Sequence, residues 1–250
     1  MKILIPMAGE GSRFAKEGYT FPKPLIDVNG KPMIQTVVEN LDFDAEYIFL
    51  VRKEHLETYA GLQSTLDRIT DGKFKIVEVD KLTEGASCTA LLAREHIDND
   101  DDLLIANSDQ FIEYAPENFK TLKEMTDADA IVYTFEAVHP KWSFVKTNAR
   151  GVITEVAEKN PISNIATCGI YWYRKGSDFV KYADQMIEKN IRVNNEFYIA
   201  PVYNELIGDG KKLIPFFVHS MWGIGTPEDL HSFLNEGPKR KFQNKKGIIL

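Results

Sequence analysis

Residues 2–14 read KILIPMAGEGSRF, a short apolar run followed by a loop with two glycines and an arginine. The run over residues 2–7 is apolar and short enough to be a buried strand. In the loop, Gly9 and Gly11 allow backbone N–H groups to point inward together, and they let a phosphate approach where no Cβ stands in the way. The stretch therefore predicts a strand that runs into a phosphate-binding loop.

Two basic residues favour this interpretation over a plain tight turn. The loop has neither the Gly-Lys-Ser/Thr ending of a Walker loop nor the third glycine of the dinucleotide fingerprint. However, Arg13 supplies a fork of donors suited to phosphate oxygens, and Lys23 lies between two prolines that stiffen its backbone. A solvated surface lysine does not need a backbone restrained by prolines on both sides, so we interpret Lys23 as a ligand-binding residue.

Short apolar runs alternate with helical stretches through the first part of the chain. This alternation is typical of a parallel sheet covered by helices on both faces, so we predict an α/β fold. The predicted strands are Lys2–Met7, Tyr47–Val51, Phe74–Val79, Leu103–Asn107 and Ala130–Phe135, and the predicted helices lie near Pro32–Leu41, Lys53–Ile69 and Ser87–Ala93.

The pattern changes after about residue 140, where strands follow one another without helices between them. This change predicts a small antiparallel addition to a mixed, mostly parallel sheet. A helix is expected to begin at Thr226, a plausible N-cap, with Pro227 as its first residue. The later predicted elements are strands Phe144–Lys146, Val152–Glu158 and Ala166–Tyr173, a helix near Ser177–Lys189 and a dense segment at Asn194–Ile207.

Composition narrows the class of protein. The chain has 250 residues, of which 44% are hydrophobic and 27% charged, as in ordinary globular proteins. A net charge of -7 argues against nucleic acid as a partner, because backbone binding needs broad cationic patches. No apolar run approaches the roughly 20 residues of a membrane span, and no signal-peptide cleavage site follows the N-terminus. We therefore expect a cytoplasmic protein with no membrane partner.

Three polar features have plainer interpretations than a functional site. Cys88 and Cys168 stand outside any CxxC pair, so neither a zinc site nor a disulfide framework is predicted, and both are expected to be reduced. The acidic run Asn99–Asp102 precedes an apolar strand and is interpreted as a turn. The basic run Lys239–Lys246 is interpreted as a solvated tail.

Three short motifs in this order resemble the sugar-phosphate nucleotidyltransferase family. They are Gly9–Arg13, matching GxG[ST]R, then Pro22–Pro24, matching PKP, and Gly30–Met33, matching GKPM; further matches extend to Thr226. The resemblance implies a dinucleotide-binding-like fold over residues 1–250, with a nucleotide-binding part at about 1–140, an acceptor-binding part at about 141–236 and a basic tail at 237–250. It also implies that Lys23 contacts phosphate near the reacting centre. The glycine loop is expected to hold the triphosphate through Ala8, Gly9, Gly11, Ser12 and Arg13. The residues expected to lie against the base are Gly85, Ala86 and Ser87.

The resemblance also implies a magnesium site. Asp109 and its neighbour Ser108 follow a predicted strand, at the carboxyl end where ligands bind in open α/β sheets, and the family carries a metal aspartate there; capping of a turn is the alternative for Asp109. The family usually has a second aspartate in a Trp-x-Asp-x-Gly-Thr segment, but in residues 221–226 Gly223 stands where that carboxylate or its neighbour would be. Either Asp109 binds Mg²⁺ with phosphates and water alone, or another carboxylate substitutes.

The acceptor site is expected on the later strands. Glu158 and Lys159 match a family pair in which the lysine binds the acceptor's phosphate, although an exposed pair on a strand is the plainer alternative. Gly169 is expected to let the acceptor approach the backbone. Glu196 matches another acid that contacts substrate in the family.

The predicted function is transfer of a nucleotidyl group from a nucleoside triphosphate to a small phosphorylated metabolite, with release of pyrophosphate. A pyrimidine nucleotide such as CTP, UTP or dTTP is favoured, and a role in capsule or cell-surface polysaccharide synthesis is expected. A cytidylyltransferase for a phosphocholine-like or phospho-amino-acid acceptor is one alternative. A glycosyltransferase is disfavoured because Asp109 begins no DxD motif, and a non-catalytic nucleotide-binding module and a homo-oligomer stay open.

Overall fold

The fold is seen in a computed structural model that describes residues 1–238. The basic tail predicted from the sequence is largely outside the described residues, since Lys239–Lys246 all fall beyond residue 238. The strands of the described part are β1 Lys2–Pro6, β2 Asp27–Val28, β3 Lys31–Pro32, β4 Glu46–Arg52, β5 Phe74–Val79, β6 Leu103–Ala106, β7 Gln110–Glu113, β8 Ala130–Glu136, β9 Ser143–Thr147, β10 Ile153–Glu158, β11 Ile165–Tyr173, β12 Leu213–Phe217 and β13 Ser220–Gly223.

Helices connect most of these strands and cover both faces of the sheet. A short 3₁₀ turn, Lys23–Leu25, lies between α1 and β2. The α-helices are α1 Ser12–Lys16, α2 Met33–Leu41, α3 Lys53–Thr58, α4 Gly61–Ile69, α5 Ala86–Leu91, α6 Arg94–Ile97, α7 Pro116–Met125, α8 Gly176–Glu188, α9 Val202–Gly208 and α10 Pro227–Glu236.

One nine-stranded sheet organises the fold. Its main path runs β10-β9-β11-β6-β1-β4-β5, with β8 paired to β11 and β12 paired to β8. Strand β1 pairs in parallel with β4 and β6, and β4 pairs in parallel with β5. The later strands β9, β10 and β11 pair antiparallel and join the same sheet. The predicted mixed, mostly parallel α/β fold with an antiparallel addition is confirmed.

Alternate side chains of the central strands enter two separate cores. In β1, Ile3 and Ile5 pack on one face, whereas Leu4 packs on the other. Phe49 and Ile48 of β4 divide in the same way. Such strands are apolar throughout because both faces of the sheet are buried, which explains why the sequence shows runs rather than alternation.

One predicted helix is wrong in its extent. The stretch Lys53–Ile69 forms two helices, α3 and α4, which are separated at Tyr59. Tyr59 leaves helical geometry, and its hydroxyl donates a hydrogen bond to the Thr20 carbonyl at 3.1 Å. Gly61 follows, a residue that costs a helix interior about 1 kcal/mol relative to Ala. Tertiary anchoring thus divides a pattern that reads as continuous.

The bounds of the other predicted strands and helices lie within two residues of those expected. Pro32 precedes α2 as its N-cap residue and closes a two-stranded hairpin, β2–β3, that the sequence did not reveal. The side chain of Thr226 accepts a hydrogen bond from the Asp229 N–H at 3.1 Å, and Pro227 begins α10, as predicted. Within residues 1–238, no helix is long and apolar enough to cross a membrane.

Candidate active site

A cleft of about 680 Å³ lies beside the carboxyl ends of β1 and β6, between the glycine loop and the antiparallel strands. Of the residues predicted to hold the nucleotide, Gly9, Gly11, Ser12, Arg13, Lys23 and Ala86 line the cleft. Of those predicted for the metal and the acceptor, Asp109, Glu158, Lys159, Gly169 and Glu196 line it. The fold therefore brings predicted site residues that are up to 187 positions apart in the sequence to one cavity. Four other predicted site residues, Ala8, Gly85, Ser87 and Ser108, do not line it.

The glycine loop leaves its backbone donors available. None of the hydrogen bonds among residues 1–238 uses the backbone N–H groups of residues 8 to 13. Gly11 has φ 64°, the left-handed region, and a Cβ there would lie 3.2 Å from the Cβ of Lys23. Glycine at this position thus allows the loop to turn and Lys23 to lie against it. Open amides beside a lysine are suited to binding phosphate oxygens.

Lys23 and Asp109 form an ion pair at the centre of the cleft. The ammonium of Lys23 donates to a carboxylate oxygen of Asp109, and the two side chains are 21% and 27% exposed. The sequence assigned these residues separately, one to phosphate and the other to a metal. Each neutralises the other, while the exposed Arg13 makes no ion pair within residues 1–238.

Gly85 and Ser87 do not line the cleft but pack against the segment Phe197–Tyr198 beside it. Gly85 has φ 140°, and a Cβ there would lie 2.5 Å from the backbone N and O of Phe197. The Ser87 hydroxyl, which is buried, donates to the Tyr198 carbonyl at 2.8 Å, and its N–H donates to the Phe197 carbonyl at 3.0 Å. Glycine is therefore needed at residue 85 to let two chain segments touch, and Ser87 positions the segment that carries Glu196.

Asp109 fits a magnesium ion by the chemistry and the shape of its surroundings. A Cβ built at Gly225 would overlap the Asp109 carboxylate, so the glycine provides the space that this carboxylate occupies. Within residues 1–238 no group of three or more His, Cys, Asp or Glu side chains is placed to hold a metal. A cation at Asp109 would need phosphate and water oxygens as further ligands, which suits Mg²⁺ because it keeps several waters.

The residues predicted for the acceptor include two carboxylates that lie close to a lysine and to an aromatic ring. Glu158 ends β10 and accepts a hydrogen bond from the buried Ser143 hydroxyl. Burial raises the pKa of Glu158, while the Ser143 hydrogen bond and the Lys159 charge lower it and the Glu196 carboxylate raises it further. The Lys159 ammonium donates to the Tyr198 hydroxyl and lies 4.5 Å from the centre of that ring.

Gly169 lines the cleft and makes room for a neighbouring side chain. It lies where the pairing of β11 with β8 shifts register, with φ 73°, and a Cβ there would overlap the Asn107 side-chain amide. The Asn107 N–H donates to the Gly169 carbonyl at 2.9 Å. The glycine therefore makes room for Asn107 at the floor of the cleft.

Several residues that line the cleft were missed by sequence reasoning. Lys141 and Trp142 lie between β8 and β9, with the Lys141 ammonium 4.6 Å from the centre of the Trp142 ring. Tyr198 carries the acceptor-side hydroxyl, and Asp229 lies in the first turn of α10. The pattern Pro140-Lys141-Trp142 was a usable signal, since it repeats the proline-lysine pairing seen at Lys23.

A parallel sheet with an open glycine loop, a lysine–aspartate pair at strand ends and a second basic subsite defines a nucleotide-binding α/β protein. The family described as nucleotidyl transferase matches residues 2–238. The chain belongs to this nucleotidyl transferase family.

Individual relatives agree with this assignment. The bifunctional protein GlmU of Methanocaldococcus jannaschii is 27% identical over 238 residues, which cover 92% of this chain and 52% of GlmU. The UTP--glucose-1-phosphate uridylyltransferase AglF of Haloferax volcanii is 24% identical over 92% of this chain and 93% of AglF. The chain thus spans about half the length of GlmU.

A solved structure shares the whole architecture. The nucleoside-diphosphate-sugar pyrophosphorylase of Vibrio cholerae RC9 superposes with a TM-score of 0.81 at 27% identity, and the match covers 94% of this chain and 100% of that chain. UDP-glucose pyrophosphorylase complexed with UDP-glucose superposes with a TM-score of 0.75 at 20% identity, a likeness that concerns the fold alone.

Proposed function

We propose that this protein joins a nucleoside triphosphate to a small phosphorylated acceptor and releases pyrophosphate. The observation that carries the proposal is the arrangement of the cleft, in which the Lys23–Asp109 pair lies between an open glycine loop and the Lys159 subsite. Four cationic side chains line one cavity, Arg13, Lys23, Lys141 and Lys159, and they suit two phosphorylated substrates on a protein whose net charge is -7.

In the proposed reaction an oxygen of the acceptor's phosphate attacks the α-phosphorus in line. A bond forms between that oxygen and phosphorus, the bond to the β-phosphate oxygen breaks, and pyrophosphate leaves. No general base is needed, because a phosphate monoester with a second pKa of about 6 is already largely dianionic at neutral pH. Arg13 and Lys23 hold the triphosphate, and Lys159 holds the acceptor's phosphate.

Mg²⁺ bound at Asp109 would neutralise oxygens of the α-phosphate and of the leaving pyrophosphate. Lys23 would then pair with phosphate in place of its carboxylate partner, since a cation at Asp109 and the ammonium would compete for the same oxygen. The loop amides of residues 8 to 13 turn toward the triphosphate and replace part of its hydration shell.

A pyrimidine nucleotide is proposed as the donor, with CTP, UTP and dTTP as the candidates. The name of AglF, a UTP-dependent enzyme, supports this choice, and the name of a low-salt glycan biosynthesis nucleotidyltransferase, Agl11 of Haloferax volcanii, supports a role in cell-surface polysaccharide or capsule synthesis. Residues 1–140 are proposed to bind the nucleotide and residues 141–236 the acceptor. The reaction is proposed to take place in the cytoplasm.

A second candidate acceptor is a phosphate ester that also carries a cationic group, such as phosphocholine or a phospho-amino acid. Glu158 and Glu196 lie close enough for their charges to interact, and Trp142 and Tyr198 line the same side of the cleft. Paired carboxylates beside aromatic faces attract an ammonium group through charge and cation–π interactions. A sugar would instead use the carboxylates as hydrogen-bond acceptors for its hydroxyls.

The test begins with a thermal-shift panel of CTP, UTP, dTTP, GTP and ATP with Mg²⁺, because a ligand that binds the folded state raises the melting temperature. The stabilising nucleotide is then combined with glucose 1-phosphate, phosphocholine and phosphoserine, and pyrophosphate release is measured. Release that requires both substrates supports the proposal. Orthophosphate release from the nucleotide alone, or stabilisation by no nucleotide, contradicts it.

A further inference from the structure

Gly223 stands where the family's second aspartate is expected, and the carboxylate of Asp229 lies beside it. Gly223 ends β13 and lines the cleft. A Cβ built on it would lie 3.3 Å from a carboxylate oxygen of Asp229 and 3.6 Å from the Trp142 ring. An aspartate at residue 223 and the side chain of Asp229 would therefore compete for one place.

The same short segment faces both carboxylates of interest. Gly225, two residues beyond Gly223, faces Asp109, and Gly223 faces Asp229. Two residues of extended chain span about 7 Å at most. The carboxylates of Asp109 and Asp229 thus lie beside Gly225 and Gly223, which are close together along one wall of the cleft. Asp109 belongs to the loop after β6, and Asp229 belongs to helix α10.

An independent observation at this wall points to an absent ligand. Gln110 is 2% exposed and lines the cleft, and its side-chain oxygen has no hydrogen-bond partner among residues 1–238. Gln110 lies directly opposite Gly223 in the antiparallel pair β7–β13. Opposite residues of an antiparallel pair project their side chains to the same face, so Gln110 extends toward the space that Asp229 borders. A buried amide oxygen without a partner is costly unless a donor or a cation approaches it.

Each of the two carboxylates is paired with a lysine ammonium. Lys23 binds Asp109, and the Lys141 ammonium lies 2.9 Å from Asp229. Asp229 is 29% exposed and therefore accessible from the cleft. Both positions thus hold a positive charge that a divalent cation can replace, while the released lysines remain near the phosphates.

We propose that Asp229, from the first turn of α10, supplies the second metal carboxylate of this site and replaces the strand residue whose position Gly223 occupies. Carboxylate and amide oxygens are ligands that Mg²⁺ and Mn²⁺ prefer. This inference rests on the proposed function for the identity of the metal's partner phosphates. The competing explanation is that Asp229 serves only its ion pair with Lys141 and the dipole of α10.

The test measures Mn²⁺ binding to the purified full chain by the loss of the free-ion electron paramagnetic resonance signal. Asp229→Asn should weaken Mn²⁺ binding about tenfold, whereas Glu228→Gln, an exposed carboxylate in the same turn, should change it less than about twofold. A double variant, Gly223→Asp with Asp229→Asn, returns a carboxylate to the strand and should restore affinity to within about threefold of wild type. Thermal denaturation confirms that each variant is folded.

Lys141→Met separates the two explanations. If Asp229 is a metal ligand, this variant binds Mn²⁺ more tightly than wild type, because a competing cation is gone, whereas unchanged affinity would show that Asp229 serves only its ion pair. Asp229→Asn with Mn²⁺ affinity within about twofold of wild type overturns the inference, as does a wild-type protein that binds no Mn²⁺. Pyrophosphate release is measured separately: Asp229-dependent Mn²⁺ binding without release refutes only the proposed function, and release without that dependence refutes only this inference.

Discussion

Replacement of Lys23 by Met separates a catalytic role for this lysine from a structural one. The Lys23–Asp109 pair is 21% and 27% exposed, so water reaches Asp109 once the ammonium is removed, and the loss of folding stability should be about 1 kcal/mol. If Lys23 holds a phosphate whose charge changes in the transition state, kcat/KM should fall by a factor of about 10² to 10³. Activity is therefore expected to fall far more than stability.

Lys123→Met is the matched control for this comparison. Lys123 and Asp102 form an ion pair at 2.7 Å with exposures of 27% and 20%, close to those of the central pair, but neither residue lines the cleft. This variant should lose a similar amount of stability and keep its activity. Denaturant unfolding and a pyrophosphate-release assay give the two quantities. The reasoning is refuted if Lys23→Met keeps more than about a tenth of wild-type kcat/KM, or if the control loses as much.

Three further substitutions test the site. Gly85→Ala places a Cβ 2.5 Å from the Phe197 backbone at φ 140°, and should lower the free energy of unfolding by about 2–4 kcal/mol and the melting temperature by roughly 4–16 °C. The control is Gly208→Ala, at a helical position with open space around it, which calorimetry should show to be neutral or stabilising. Gly225→Ala should displace the Asp109 carboxylate and reduce Mg²⁺-dependent activity at least about tenfold with a small stability change, and unchanged activity would contradict the placement of the metal. Burial raises the pKa of Glu158, so the stabilising contribution of this carboxyl group is present below its unfolded pKa and is lost as pH rises through its folded pKa. Glu158→Gln should therefore raise the melting temperature near pH 7, and the difference from wild type should disappear by about pH 4. A difference in melting temperature that grows toward low pH would show that the sign is wrong.

The central part of the fold was accessible from local sequence pattern. The central strands of the parallel region are short apolar runs, because both of their faces enter a core. Strand β5 lies at the end of the sheet and buries only Val79, yet it was predicted with its observed bounds. The helix pair α3 and α4 was not, since its break depends on the long-range hydrogen bond from Tyr59 to Thr20. The pair β7–β13 was also missed, because each strand has four residues and the partner lies about a hundred positions away.

The two sides of the site differ in how far sequence alone predicts them. The glycine loop and Lys23 are close along the chain, so a local motif is enough to predict that they share a site. Lys141 and Asp229 come from distant segments and meet only because β13 and α10 fold back over the strand ends. Gly223 was recognised as a departure, but only the fold shows which carboxylate occupies the space it leaves.

The most direct test of the central claim is ³¹P nuclear magnetic resonance of the products formed from the stabilising nucleotide, Mg²⁺ and a phosphorylated acceptor. Nucleotidyl transfer predicts pyrophosphate and a diphosphate-bridged product in equal amounts, with neither formed when the acceptor is omitted. Formation of orthophosphate and a nucleoside diphosphate instead would show that the bond broken is the terminal one. That result would contradict the account of Lys23, Asp109 and Lys159 as the residues around an in-line transfer at the α-phosphorus.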